Sequence, residues 1–417
     1  MRTRTTVLPN GLTVLTLRDD STPVVSFQVW VKAGSRDETS YTGLAHLFEH
    51  MMFRGTDRLA PEDHERLIES RGGRINAYTS RDVTVYFNDV TAEHLPLVIE
   101  LEAERLANLN IGEASLASER EVVLEERRLR TEDSPQGRAY EALFALAFVA
   151  HPYRHPVIGW RSDVETIRVE DCRSFFDTYY APNNLVVAVA GDFDEADTLA
   201  RIEGAFGSLR PAPRIPRNPT QEPEQRGPRR AVVHFDLLGP ILAAAWHAPS
   251  TGHPDADALD VASEILSSGR SSRLYRQLVY ESQQALAAQG AYYELRDAGV
   301  FYAFVSVRPD GSVEEAERLL MAEIARLRDE PVSTAELEKA KRGLEVGLVQ
   351  DLDRAHALAS RIAGDTVMLG RIRSLEERLE AIRRVEVGDV QRVARLYLQG
   401  DRSSVVRVVA PPSEPAP

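Results

Sequence analysis

The sequence predicts an α+β fold of two similar domains, each an antiparallel sheet covered by helices, and three observations carry that expectation. Of the 417 residues, 43% are hydrophobic and 27% charged, enough apolar material for more than one core. Arg210 to Arg230 reads RPAPRIPRNPTQEPEQRGPRR, with prolines, charges and almost nothing to bury, as an inter-domain linker does. On either side of it one order of segments recurs at an offset of about 214 to 219 residues. GLAHLFEHMMFRGT answers to ALDVASEILSSGRSS, AYTSRDVTVYF to AYYELRDAGVFYAF, and LVVAVAGDFD to SSVVRVVAPP. We therefore expect a first domain at 1–209, a linker at 210–230 and a similar second domain at 231–417.

The elements follow in order. Val24 to Val31 alternates with the period of a strand, Val25, Phe27, Val29 and Val31 sharing one face, and Val83, Val85 and Phe87 do the same. Both read as half-buried antiparallel strands. Ala92–Leu109 and Val313–Leu327 carry the apolar stripe of amphipathic helices. Leu185 to Ala190 is a continuous apolar run ended by Gly191 and Asp192, the pattern of a strand covered on both faces. The C-terminal APPSEPAP has nothing to bury and reads as a tail.

Charge and cysteine usage narrow the partners. The 64 acidic residues outnumber the 50 Lys and Arg, leaving a net charge of −14 that repels nucleic acid and anionic lipid. Neither nucleic acid nor membrane is an expected partner. The lone Cys172 forms no internal disulfide and no Cys-based metal site, which fits a reducing compartment. The N-terminal stretch lacks the unbroken apolar run of a signal peptide, and no run approaches the roughly 18 to 20 residues of a membrane span. A cytoplasmic protein is expected.

Chemistry concentrates in GLAHLFEHMMF. His46 and His50, four apart, with Glu49 between them, project from one helical face because three and four residues are each close to one turn. Two imidazoles so placed can grip one Zn²⁺, and the carboxylate between them can reach a metal-activated water. The order is HxxEH, the reverse of HExxH. In a chain with 10 His and 64 acidic residues such a string arises by chance roughly 0.04 times, so the pattern favours a ligand role over ordinary helix histidines. A catalytic zinc needs a third protein ligand. The segment LASEREVVLEERRLR offers Glu119 and Glu126, seven residues and two turns apart, with Val122 and Val123 between them to hold that face inward. Arg120, Glu121, Arg127, Arg128 and Arg130 read as a solvated, salt-bridged surface.

HLFEH at 46–50, followed 76 residues after His50 by Glu126 within EREVVLEE, resembles the pitrilysin and insulinase-type zinc metallopeptidases, in particular the small members related to mitochondrial processing peptidase. The resemblance takes in GGRINAYTSRDVTVYF at 72–87, HPYRHPVIGW at 151–160 and YYAPNNLVVAVAGDFD at 179–194, and more thinly SSGRSSRLYRQL at 267–278. It implies a processing-peptidase-like fold and one Zn²⁺ per chain held by His46, His50 and Glu126. It further implies Glu49 as general base, Glu119 as a carboxylate supporting the ligands, and a substrate-binding strand edge at Asn76 and Ala77. The implied activity is that of a zinc-dependent endopeptidase acting on short unfolded peptides through a metal-activated water.

Departures from the family pattern qualify this. Where the first half has His46, Glu49 and His50, the second has Asp260, Ser263 and Glu264, so it is a non-metal domain. Many self-sufficient relatives carry an Arg and a later Tyr that hold the substrate carbonyl; here those places fall on Val279 or Tyr280 and on Ala287 or Ala288. Arg273 and Tyr280 have suitable spacing but are shifted by about two helical turns, and are not expected to substitute. The expected partner is therefore a homologous zinc-free subunit in a heterodimer, with a homodimer as the other possibility. The acidic pair that reads an arginine in processing β subunits is replaced by Gln136 and Tyr140, so presequence specificity is not supported. The alternative function is a non-catalytic structural or peptide-capturing subunit of such an assembly.

Overall fold

The computed structural model describes residues 3–412, so 413–417 of the expected tail lie outside the described residues. Six strands form one sheet: β1 (Thr3–Val7), β2 (Thr13–Arg18), β3 (Val24–Val31), β4 (Arg74–Thr79), β5 (Thr84–Thr91) and β6 (Leu185–Gly191), in the order β1-β2-β6-β3-β5-β4. Five form another: β7 (Arg229–His234), β8 (Ile241–Ala248), β9 (Ala285–Tyr293), β10 (Gly299–Val307) and β11 (Ser404–Val409), in the order β7-β11-β8-β10-β9. The second order reproduces the first without β1. Each sheet is antiparallel except for one parallel pair, β2 with β6 and β7 with β11.

Helices accompany the strands in both halves of the sequence. The first set is α1 (Leu44–Met51), α2 (Asp63–Glu69), α3 (Leu95–Asn108), α4 (Glu113–Arg127), α5 (Pro135–Ala147), α6 (Arg161–Thr166), α7 (Val169–Tyr179) and α8 (Glu195–Phe206). The second is α9 (Ala256–Ser267), α10 (Val313–Asp329), α11 (Thr334–Gln350), α12 (Ala355–Leu369), α13 (Leu375–Arg384) and α14 (Val387–Tyr397).

Two compact units result. The first holds residues up to Glu125, His155–Pro219 and Gln350–Arg373; the second holds Glu126–Arg154, Thr220–Val349 and the residues from Ser374. In the first, Val25, Phe27, Val29 and Val31 meet Leu47 and Phe48 of α1, Val98 of α3 and Phe206 of α8. Trp30, Val85, Val186 and Ala188 on the opposite face are covered by Leu358, Ile362 and Val367 of α12. β3 and β5 are thus buried on both faces, where their alternation suggested one. In the second unit α9, α10 and α14 cover one face, and Leu143 and Phe144 of α5 cover Ile241, Ala243 and Val406 on the other.

Each sheet therefore receives one helix from the opposite half of the sequence. The reason lies in burial: a sheet apolar on both faces must be covered on both, and each buried large side chain contributes about 1.5–3 kcal/mol. The proline-rich stretch up to Pro219 is pinned to the first unit by Arg217, whose guanidinium donates to the Lys32 carbonyl at 2.6 Å and to Asn184 Oδ1 at 2.7 Å. Cys172 is buried in the first core, where desolvation pushes its thiol up to about 12. Among the described residues no helix is long and apolar enough to cross a membrane.

Candidate active site

Helix α1 turns its apolar side inward, burying Leu44, Leu47, Phe48 and Met51, with the Phe48 ring in tilted and edge-on contact with Phe175, Phe176 and Tyr180. His46, Glu49 and His50 occupy the remaining side. The chain enters α1 through Gly43 at φ 86°, a left-handed turn in which a Cβ would lie 2.6 Å from the Ile158 carbonyl. The exposed N–H groups of this helix start are met by Glu38, whose carboxylate accepts from Gly43 at 3.0 Å and Ala45 at 2.8 Å. Desolvation holds the Glu38 carboxyl well above its usual range, despite those two donors. Asp163 fastens the preceding turn, accepting from the Thr42 hydroxyl at 2.7 Å and its N–H at 3.0 Å.

The third donor comes from α4, which runs unbroken from Glu113 to Arg127 and is packed by Leu116 and Val123. A nitrogen from each of His46 and His50 and a carboxylate oxygen of Glu126 lie within 4.8 Å of one another. Among the described residues, no other group of three or more His, Cys, Asp or Glu side chains is so arranged. Two neutral imidazoles and one carboxylate are the donor set of a catalytic zinc site and leave a fourth coordination place, so these residues fit that ion. Glu126 is half-buried and pairs with Arg130 at 2.6 Å.

A carboxylate oxygen of Glu119 lies 3.3 Å from His50 Nδ1, and its other oxygen pairs with Arg54. A carboxylate on Nδ1 sets the tautomer that frees Nε2 for a metal. Glu49 is 9% exposed and accepts a hydrogen bond from Thr79 Oγ1 at 2.5 Å. Behind it the hydroxyls of Tyr86 and Tyr180 meet at 2.8 Å, and burial, aided by the Glu49 charge, pushes both phenols well up. The Arg105 guanidinium, paired with Glu102, lies over the Tyr86 ring at 4.4 Å.

Strand β4 lies at the sheet's edge beside α1, hydrogen-bonded to β5 on one side. Asn76 is exposed and its Oδ1 accepts from the Ala77 N–H at 2.8 Å, a bond that an added strand would have to displace. Two expectations about α4 need correction. Val122 is 43% exposed, and Val123 alone of the pair faces the core. Arg127 is buried, held by Glu132 at 3.2 Å and Glu141 at 2.9 Å, while Arg120 donates to the Val164 and Ile167 carbonyls. The π-helical turn at Arg128–Glu132, which directly follows Arg127, has no periodic signature in the sequence.

In the second unit Arg273 is buried in a two-pronged pair with Glu336, at 2.7 and 3.2 Å, and Tyr280 is 73% exposed. Ala287 and Ala288 lie on edge strand β9. Sequence reasoning missed Glu38, Asp163, Arg54 and Thr79. Only Glu38, an acid just ahead of a helix start, left a readable signal.

Comparison with known proteins shows the family to which such a chain is similar. Residues 13–160 match the family model described as Insulinase (Peptidase family M16), and residues 166–344 match the Peptidase M16 inactive domain. The chain is 33% identical over 404 residues to the zinc protease PqqE of Helicobacter pylori, covering 96% of this chain and 91% of that protein. It is 29% identical over 422 residues to the probable mitochondrial-processing peptidase subunit beta of Arabidopsis thaliana, covering 98% and 78%. The crystal structure of a protease from Helicobacter pylori superposes with a TM-score of 0.95 at 32% identity, over 98% of this chain and 99% of that one.

Proposed function

Because the chain belongs to peptidase family M16, the insulinase family, we propose that it is a zinc-dependent endopeptidase that hydrolyses short unfolded peptides. The observation that carries the reading is the convergence of His46, His50 and Glu126 from two helices, with buried Glu49 on the same turn of α1. Zinc bound there supplies a Lewis acid that polarises a carbonyl and acidifies water. Glu49 takes the proton from the attacking water and returns it to the leaving amine. His50 is kept in register by Glu119, and Glu119 by Arg54. The open edge of β4 receives the peptide by strand addition, in which main-chain hydrogen bonds give affinity largely independent of side-chain sequence. Asn76 swings off Ala77 as the peptide arrives.

We assign the chain to a dimer with a homologous zinc-free subunit, because Arg273 is engaged by Glu336 rather than held ready for a substrate carbonyl. The Arabidopsis relative is itself named as a subunit. The same observation favours a second reading, a subunit that captures peptides without cutting them. Cut-site mapping by mass spectrometry in a mixture of unstructured peptides, with zinc and with Glu49→Gln as control, decides between them. Wild type should cut, and Glu49→Gln should keep its zinc and fall roughly 10²–10⁴-fold. Cutting by Glu49→Gln at the wild-type rate would remove Glu49 as the base; binding without cutting by the wild type, alone and with its homologue, would establish the capturing subunit.

A further inference from the structure

We propose that Thr79 is a positioning residue for the general base, fixing the direction in which the Glu49 carboxylate faces; the proposal rests on the peptidase reading above. The two residues stand 30 apart, Glu49 on α1 and Thr79 at the end of β4, and are joined by a hydrogen bond of 2.5 Å from Thr79 Oγ1 to Glu49 Oε2. An ionised carboxylate only accepts, so the hydroxyl proton is committed to Glu49. A bond this short between a hydroxyl and a carboxylate is charge-assisted and among the stronger kinds.

Thr79 is itself held. It is paired across the ladder with Thr84, whose Oγ1 lies 3.4 Å from Thr79 Oγ1 and donates its own proton to the Ala33 carbonyl at 3.1 Å. The two threonine protons therefore do not compete, and the position of Thr79 is set by the β4–β5 register. Glutamate is rotamer-rich, and a base must face its proton in one orientation. Thr79 supplies that orientation from a strand, the more rigid kind of support. It also lies on the strand whose edge takes the peptide, so one element sets both the substrate and the base that serves it.

The test uses the full chain in the dimer in which it cleaves. Thr79→Val keeps the branched shape and removes the donor; Thr79→Ser keeps the donor and removes the methyl. Thr79→Val should lower kcat roughly 10–100-fold with KM and zinc content unchanged, and Thr79→Ser should recover most of that loss. A crystal structure of Thr79→Val should show the Glu49 carboxylate turned away while His46, His50 and Glu126 keep their places. If melting shows that Thr79→Val is unfolded, Thr79→Ala against Thr79→Ser carries the same comparison. Wild-type kcat without the donor, no recovery in the serine variant, or a rise confined to KM overturns the proposal. Glu49→Gln run alongside separates the two failures. No cleavage by the wild type sinks the peptidase reading, wild-type cleavage by Glu49→Gln removes Glu49 as the base and with it the group Thr79 would orient, and a silent Glu49→Gln beside a fully active Thr79→Val sinks the role of Thr79 alone.

Discussion

Helices α1 and α9 hold the same place in the two units, and the sides they turn away from the apolar core differ. Where α1 carries His46, Glu49 and His50, α9 carries Asp260, Ser263 and Glu264. The facing helices differ in the same sense: 217 residues after Glu126 stands Gly343 of α11, where an added Cβ would lie 3.0 Å from Glu264 Oε2. Yet 217 residues after Glu119 stands Glu336, paired with Arg273 as Glu119 is with Arg54. The arginine–glutamate pair therefore belongs to the fold, and the proposed metal chemistry to a few side chains laid over it. The sheet edges differ too. In β9 the N–H groups of Gly290 and Tyr292 are taken by Ser267 at 2.6 Å and Ser263 at 2.8 Å, so α9 closes its edge, whereas β4 keeps its edge beside the metal donors.

The largest expected effect sharpens this contrast. His50→Ala removes one of the three proposed ligands, so zinc should fall from about one per chain to near zero and cleavage to background. Glu264→Ala, at the answering place in α9, should leave both unchanged. Metal analysis of the two purified variants checks this, and full zinc in His50→Ala would break the assignment of His50 as a ligand.

A smaller effect separates what the two ion pairs share from what they do not. Glu119→Gln should weaken zinc binding about 10–100-fold, read by chelator competition, because the carboxylate that steadies His50 is gone. Glu336→Gln touches no ligand and should leave zinc affinity alone, lowering stability in urea by about 1 kcal/mol because its pair is partly solvated. Equal zinc affinities in the two variants would mean that Glu119, like Glu336, serves the fold only.

These contrasts also show why some features could be read from the sequence and others could not. Strand β6, helices α3 and α10 and the recurring segment order are written in local periodicity, and His46 and His50 in the turn of one helix. Glu126 needed a second helix brought alongside, which the spacing suggested only through a family resemblance. The exchange of α5 and α12 left no trace, because an amphipathic stripe records that a helix is half-buried but not against which sheet. Thr79 was hidden for a related reason: its contact with Glu49 depends on the β4–β5 register and on where α1 crosses it, neither of which is local. Arg127 looked like a surface charge because ion pairs bury a guanidinium without altering its place in the pattern.

The smallest expected effect lies in the second unit and follows from the sign of one shift. The Glu336 carboxyl is held at about 2, below its ordinary 4.5, first by the hydrogen bond from Arg273 and then by the Ser333 N–H and hydroxyl. A carboxyl lowered in the folded chain adds stability that is fully present above about 4.5 and drains away as the pH falls toward 2. Arg273→Met removes the principal cause, so its melting temperature should be lower at neutral pH and should fall less steeply between pH 5 and 2.5 than that of the wild type. The side chain of Glu336 is about one-third exposed, so the difference in slope should be modest and should shrink further in added salt. Parallel acid limbs in the two proteins would mean that Arg273 does not hold Glu336, and would reopen Arg273 as a group free to reach a substrate.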